Sequence, residues 1–272
     1  MDRGVKEATG TATVKVTMLG SGTSTGVPVI GCNCATCTSD DPRNRRSRSS
    51  ILIEFEENGF GQRRVLVDTS TDFREQALRE RIPRIDAVLF THAHADHIFG
   101  LDDLRVFNFR QSESIPCYGA AETLGRLEKT FAYIFEGGQT GGGKPKITLN
   151  PIDGPFALFE RNLTPLPVFH GELPVLGYRI GSFAYITDCN RIPESTFPLL
   201  EGVRYLILGA LRYRPHSTHY NFEQAQEIVR RINPERTWFT HLACEVDATN
   251  LEFPLDAGVE LGFDGLEIEV PR

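Results

Sequence analysis

Three imidazoles and one carboxylate fall within six residues in the stretch Thr91-His92-Ala93-His94-Ala95-Asp96-His97. Nothing else in the chain restricts its fold so tightly. The preceding Ile85-Asp86-Ala87-Val88-Leu89-Phe90 reads as a buried strand, so the cluster sits where a strand ends and the chain turns. His92 and His94 are two residues apart and point the same way in extended chain. Asp96 suits a helix start, where a carboxylate meets unpaired N–H groups. Asp96 and His97 can then face a second point a few ångströms away. Neutral imidazole and carboxylate are the ligands of catalytic zinc. The chain holds only seven histidines, so three within one turn argue for a metal site over a scattered surface population.

A chain of 272 residues buries a full core and is long for one domain, though within range. It is 40% hydrophobic and 24% charged, which sets it apart from disordered and fibrous sequences. A net charge of −7 argues against holding long nucleic acid through an overall field. Residues 1–12 lack an apolar run and are expected to be a frayed tail, not a signal peptide. No stretch approaches the roughly 18 apolar residues of a membrane span. The expected compartment is the cytosol, where six cysteines suggest metal binding before disulfides.

Val14 to Leu19 reads as a first strand running into Gly20-Ser21-Gly22-Thr23-Ser24-Thr25-Gly26. That loop either offers N–H groups to an anion or makes a wide turn. Cys32, Cys34 and Cys37 follow, spaced for a soft tetrahedral metal that needs a fourth ligand from far along the chain. Arg43, Arg45, Arg46 and Arg48 either meet phosphate or form a solvated face. Ser50–Glu54 and Arg64–Val67 read as hairpin strands joined through Asn58-Gly59. Asp68, where the second ends, is expected to orient metal ligands, to cap a helix over Asp72–Glu80, or to do both.

Leu101 to Phe109 has helical spacing, with Leu101, Leu104, Val106 and Phe107 expected in the core. Ala120 to Phe135 predicts one helix with Leu124, Leu127, Phe131 and Ile134 on one face. Gly138 to Lys144 looks like a phosphate loop, but Pro145 follows where Ser or Thr belongs. It reads as a flexible loop, a candidate lid. In the second half, strands over Leu163–Phe169, Phe183–Thr187 and Arg236–Thr240 run into His170, Asp188 and His241. Further strands are expected over Gly177–Ile180 and Arg204–Leu208, and a helix over Phe222–Ile232. Three potential ligands at strand ends, added to the first cluster, complete an inventory for two metals.

In that order, Asp68, His92/His94/Asp96/His97, His170, Asp188 and His241, the pattern resembles the metallo-β-lactamase fold superfamily from Val14 to Val270. The resemblance implies an α/β fold, a single-domain four-layer αββα sandwich over residues 13–272, with the site at the edge between two sheets. It implies that His92, His94 and His170 hold one metal and Asp96, His97 and His241 the other. Asp188 would bridge them and Asp68 would sit behind the ligands. The cysteine cluster, Gly100-Leu101-Asp102-Asp103-Leu104-Arg105 and Leu211-Arg212 leading to His216-Ser217-Thr218-His219 resemble more closely the phosphoribosyl 1,2-cyclic phosphate phosphodiesterase family of the carbon–phosphorus lyase pathway. That family implies two catalytic Zn²⁺ or Mn²⁺ ions, one structural Zn²⁺ in an insert around 31–48, a catalytic role for His219 and a homodimer. The family's fourth structural ligand is a histidine. Here the position is Cys244, giving a four-cysteine set with Cys32, Cys34 and Cys37, and leaving Cys117 and Cys189 as packing residues.

The expected chemistry is hydrolysis of a small anionic phosphodiester by a hydroxide held between the metals, with His219 as general acid. For the substrate's second phosphate, Arg212, Arg214 and His216 lie closest in sequence. The alternatives are a transfer-RNA 3′-processing nuclease, a pyrroloquinoline-quinone-biosynthesis-like protein and a non-catalytic metal-binding protein of the same fold. No long basic insertion for gripping an RNA elbow is evident, so stable nucleic-acid binding is not expected.

Overall fold

Two seven-stranded sheets pack face to face in the computed structural model, which describes residues 13–136 and 143–271. The first contains β1 (Val14–Gly20), β2 (Ser50–Glu57), β3 (Gly61–Val67), β4 (Ala87–Leu89), β5 (Ile115–Gly119) and β6 (Ile147–Pro151). The second contains β7 (Phe156–Leu158), β8 (Arg161–His170), β9 (Leu173–Ile180), β10 (Phe183–Ile186), β11 (Tyr205–Gly209), β12 (Arg236–Thr240) and β13 (Val259–Leu261). The last strand, β14 (Glu267–Val270), returns to pair antiparallel with β1. β3 through β6 run parallel, as do β10 through β13. Hairpins supply the antiparallel part of each sheet, β1–β2–β3 in the first and β7–β8–β9–β10 in the second.

Residue alternation explains the layering. Val16, Ile53, Val65, Leu89, Tyr178, Phe183, Ile207 and Trp238 point between the sheets and form one dry core. Their neighbours Leu52, Leu66, Val88 and Cys117 face outward, under α1 (Phe73–Arg79), α2 (Ala95–Ile98), α3 (Leu104–Gln111), α4 (Ala121–Thr130) and α5 (Ala132–Phe135). On the far side Ala184, Ile186, Leu206, Leu208 and Phe239 pack beneath α6 (Phe197–Leu200) and α7 (Phe222–Ile232). The order helix, sheet, sheet, helix is the four-layer sandwich. α7 begins with a reciprocal cap in which Asn221 accepts from the Gln224 N–H and Gln224 accepts from the Asn221 N–H.

Several expectations shift. The helix over 120–135 breaks at Phe131, which separates α4 from α5, although Leu124, Leu127, Phe131 and Ile134 are buried as expected. Val106 is 44% exposed and not in the core. β9 starts at Leu173, four residues before the expected Gly177. Arg46 is 2% exposed and belongs neither to a solvated face nor to a phosphate site. Its guanidinium donates to the carbonyls of Arg43 and Ala243 and to Asn44 Oδ1, locking the cysteine-bearing segment to the chain beyond His241. Arg48 and Arg43 pair with Asp72 and Asp41. The glycine-rich loop makes a turn whose anion is internal. Ser21 N–H donates to Asp264 Oδ1 at 2.9 Å, and a Cβ on Gly20 would come within 2.0 Å of the Arg48 carbonyl. The frayed-tail expectation for 1–12 and most of the 138–144 loop lie outside the described residues.

Candidate metal centre

Strands of both sheets deliver their C-terminal ends to one edge of the sandwich, where open α/β sheets bind ligands. β3 is followed by Asp68, β8 ends at His170, β10 is followed by Thr187-Asp188, and β12 by His241. Beyond β4 the chain brings His92 and His94 to the same edge, and α2 carries Asp96 and His97 in its only turn. Asp68, Asp188 and His241 all adopt left-handed backbone, with φ of 63°, 47° and 60°. Such conformations cost about 1–3 kcal/mol each and persist where the surroundings impose them. Here they turn three side chains off the strand ends into one cluster.

Two groups of ligand atoms result. His92, His94 and His170 present nitrogens within 4.8 Å of one another, and so do Asp96, His97, Asp188 and His241 with their nitrogens and oxygens. A third set, His170, Asp188 and His219, meets the same distance and links the two. His92 Nε2 and His94 Nδ1 approach to 2.9 Å. His97 Nε2 is buried 3.2 Å from oxygens of both Asp96 and Asp188, yet it makes no hydrogen bond. A buried nitrogen facing carboxylates without hydrogen-bonding to them fits a cation between them. Burial works against charge on His97, but Asp188, Asp68 and Asp96 outweigh it and hold the imidazole well above its usual range. Burial also works against Asp188, whose carboxyl His241 and His97 nevertheless hold well below its usual range. The centre is therefore a nest of mutually compensating buried charges.

The residues behind the cluster fix its rings. Asp68, fully buried, accepts from His97 Nδ1 at 2.7 Å, from Thr91 N–H at 2.8 Å and from Thr91 Oγ1 at 2.8 Å. Asp68 thus holds the His97 ring and the Thr91 backbone, and it caps no helix. Thr91 Oγ1 in turn lies 2.9 Å from His92 Nδ1. His170 Nδ1 donates to the Thr218 carbonyl at 2.8 Å, leaving Nε2 free for the site. His241 Nδ1 lies 3.3 Å from Ser49 Oγ. Such contacts set which ring nitrogen faces a metal. Thr91, Ser49 and Thr218 escaped sequence reading, since an isolated hydroxyl or carbonyl carries no pattern.

His219 stands over the junction of the two groups. Its ring stacks on His241 at 4.8 Å and lies 4.5 Å from His170, with Nδ1 3.8 Å from Asp188 Oδ1. Burial, then the nearby His241, lowers it to about 3, so the free protein presents a neutral ring. Arg212 and Arg214 do not point to a free anion site, because both pair with Glu245 at 3.3 and 2.9 Å.

About the Cys cluster the structure is equally definite. Cys32, Cys34, Cys37 and Cys244 bring four sulfurs within 4.8 Å of one another. A tetrahedral zinc with bonds of about 2.3 Å separates its sulfurs by about 3.8 Å, so little adjustment is needed. The Cys37 N–H donates to Cys34 Sγ, and this bond is the main cause lowering Cys34 to about 7. The Val29 N–H donates to Cys37 Sγ. Cys117 and Cys189 are fully buried elsewhere, as packing residues.

The fold and this edge site define a protein of the metallo-β-lactamase type. A profile for the beta-lactamase superfamily domain matches residues 63–242, and the chain belongs to that superfamily. Within it the chain belongs to the PhnP family. A crystal structure of a new diphosphatase from that family superposes with a TM-score of 0.84 at 40% identity, covering 96% of this chain and 99% of the other. An octanoyltransferase of Porphyromonas gingivalis is 37% identical over 255 residues, which is 92% of this chain but 50% of that protein. The chain thus spans about half the length of that relative. Zinc-bound PqqB from Methylobacterium extorquens shares the fold at 20% identity, with a TM-score of 0.71 over 93% of this chain and 99% of the other. No helix among the described residues is long and apolar enough to cross a membrane.

Proposed function

We propose that the chain is a metal-dependent hydrolase cleaving a phosphorus–oxygen bond in a small anionic phosphodiester or diphosphate, phosphoribosyl 1,2-cyclic phosphate being the first to test. The observation that carries this reading is His219, held within reach of both ligand groups beside a complete donor set. A binding protein needs the seven donors but has no use for an eighth side chain poised over them. Zn²⁺ or Mn²⁺ held by His92, His94 and His170, by Asp96, His97 and His241, and by Asp188 between them would supply positive charge and an activated water. Asp68 and the Thr218 carbonyl fix the imidazoles. His219 directs an N–H towards the departing oxygen and donates the proton that oxygen needs, once the substrate's negative charge is beside it. His94 is the exposed ligand of its group, which leaves that side open to substrate. Cys32, Cys34, Cys37 and Cys244 would hold a further zinc with no chemical role.

The diphosphatase likeness favours a substrate carrying phosphate esters or anhydrides. Acyl transfer finds no support in this site. The thiols of Cys117 and Cys189 are buried and pushed well up, while the other four cysteines face one another. A net charge of −7 favours a small substrate over a held nucleic acid. The test is turnover by protein of known metal content on phosphoribosyl 1,2-cyclic phosphate, an aryl phosphodiester, a diphosphate ester and a precursor transfer RNA. Preference for a small ester or anhydride is expected, with kcat reduced about 100-fold in His219→Ala. Full kcat in that variant removes His219 from the reaction, and no turnover with metals bound returns the chain to a non-catalytic role.

A further inference from the structure

The edge site opens sideways into a cavity of about 90 Å³ whose floor is His92 and His94. Its walls are unlike the rest of the site. On one side stand Pro167 of β8 and Leu173, Val175 and Leu176 of β9. On the other stand Ala120 and Thr123 at the start of α4. The four residues from Leu173 to Leu176 are the extra length of β9. The Leu176 N–H donates to the Thr91 carbonyl at 3.0 Å, which fixes this apolar wall against the metal-binding loop. The charged residues at the rim, Arg126 and Glu122, pair with each other at 2.9 Å and their charges balance, so the rim carries no net charge to favour a charged substituent.

From this we infer that the substrate is asymmetric and carries an apolar group, an aromatic ring or short alkyl chain, on the ester oxygen that lies towards His94. The inference rests on the proposed phosphoester reading and narrows it to esters with two unlike substituents, which ranks an aryl phosphodiester above phosphoribosyl 1,2-cyclic phosphate, whose ester oxygens both belong to one polar sugar. A phosphate ester drawn to cations held by the histidine and carboxylate cluster would place one substituent over His94, the exposed member of that cluster. A charged substituent there would lose water without finding a partner, whereas an apolar one gains by leaving water. A closed apolar cavity of roughly 150 Å³ holds benzene. This smaller, open one holds part of a ring with the remainder in solvent. The opposite lip of the site, where His219 and His216 lie with rings 5.2 Å apart, is polar. The two substituents on phosphorus therefore meet different surroundings.

The experiment measures binding of phenylphosphonate and methylphosphonate to zinc-loaded protein by calorimetry. Phenylphosphonate is expected to bind about tenfold tighter, the ratio that burying roughly half of a ring's surface gives. Leu173→Asn makes the wall polar, and Ala120→Leu fills the space from the opposite side. Each should bring the phenyl-to-methyl ratio towards one, and two chemically unlike changes protect the result against misfolding of either. Equal affinities in the unaltered protein, or a ratio that survives both substitutions, overturns the inference. Methylphosphonate binding with a ratio of one rejects only this pocket. Failure of both phosphonates to bind, with no turnover of any ester, rejects the parent reading instead.

Discussion

Removing Glu245 tests how the His219 loop is held. Glu245 follows Cys244 and accepts from Arg212 at 3.3 Å and from Arg214 at 2.9 Å. Arg212 also donates to the carbonyls of Arg214 and Pro215, so the guanidinium braces the backbone leading to His219. The Arg212, Glu245 and Arg214 side chains are 26%, 30% and 73% exposed. Ion pairs that open to water are worth about 0.2–1 kcal/mol each. Glu245→Ala should then cost about 1 kcal/mol of stability, or about 2–4 °C in Tm for a chain of this size. Activity should fall by more than that loss of folded protein explains. The His170 to Thr218 carbonyl bond and the Asn190 to Ser217 carbonyl bond, each 2.8 Å, keep the far end of the loop attached. The displacement of His219 is therefore partial, and a kcat loss of about tenfold is expected against about 100-fold for His219→Ala. Glu245→Gln keeps one acceptor oxygen and should fall between wild type and alanine. The assay is steady-state kinetics on whichever small ester the protein turns over, with melting curves on the same samples. A fall in Tm of a few degrees with kcat unchanged would show that the bracket serves stability alone and refute the positional argument.

Two further outcomes follow from the same geometry. Asp68→Asn keeps a residue that tolerates φ of 63° but replaces one acceptor oxygen by a donor facing Thr91 or His97, so metal affinity should drop about 10–100-fold in chelator competition, and unchanged affinity would place the orienting role elsewhere. Cys244→Ser should remove one zinc per chain in elemental analysis and lower Tm, while unchanged zinc content would show that the four sulfurs hold no ion.

Metal chemistry was readable in the sequence because it resides in residue types placed at strand ends, and strands are periodic. His170, Asp188 and His241 each close an apolar run, and the structure gathers His170 with His92 and His94, and Asp188 and His241 with Asp96 and His97. The left-handed turns at Asp68, Asp188 and His241 were not readable, since burial and partners impose them and local preference does not. Arg46 was misread for a similar reason. Its partners include the carbonyl of Ala243, almost 200 residues on, and a run of four arginines looks the same whether one is solvated or enclosed. β9 shows how a local rule can conceal a functional surface. Pro174 argues against a strand, yet here it costs little, because β10 pairs with β9 only at Tyr178, Arg179 and Ile180. At Pro174 the strand has β8 on one side and no β10 partner on the other, and the N–H a proline lacks is not required for a second ladder. The same missing neighbour exposes Leu173 and Leu176 to the site edge. The missing neighbour that tolerates Pro174 thus also turns apolar side chains of β9 into a wall beside His94, a placement that no residue type marks in the sequence, whereas the candidate ligands are marked by theirs.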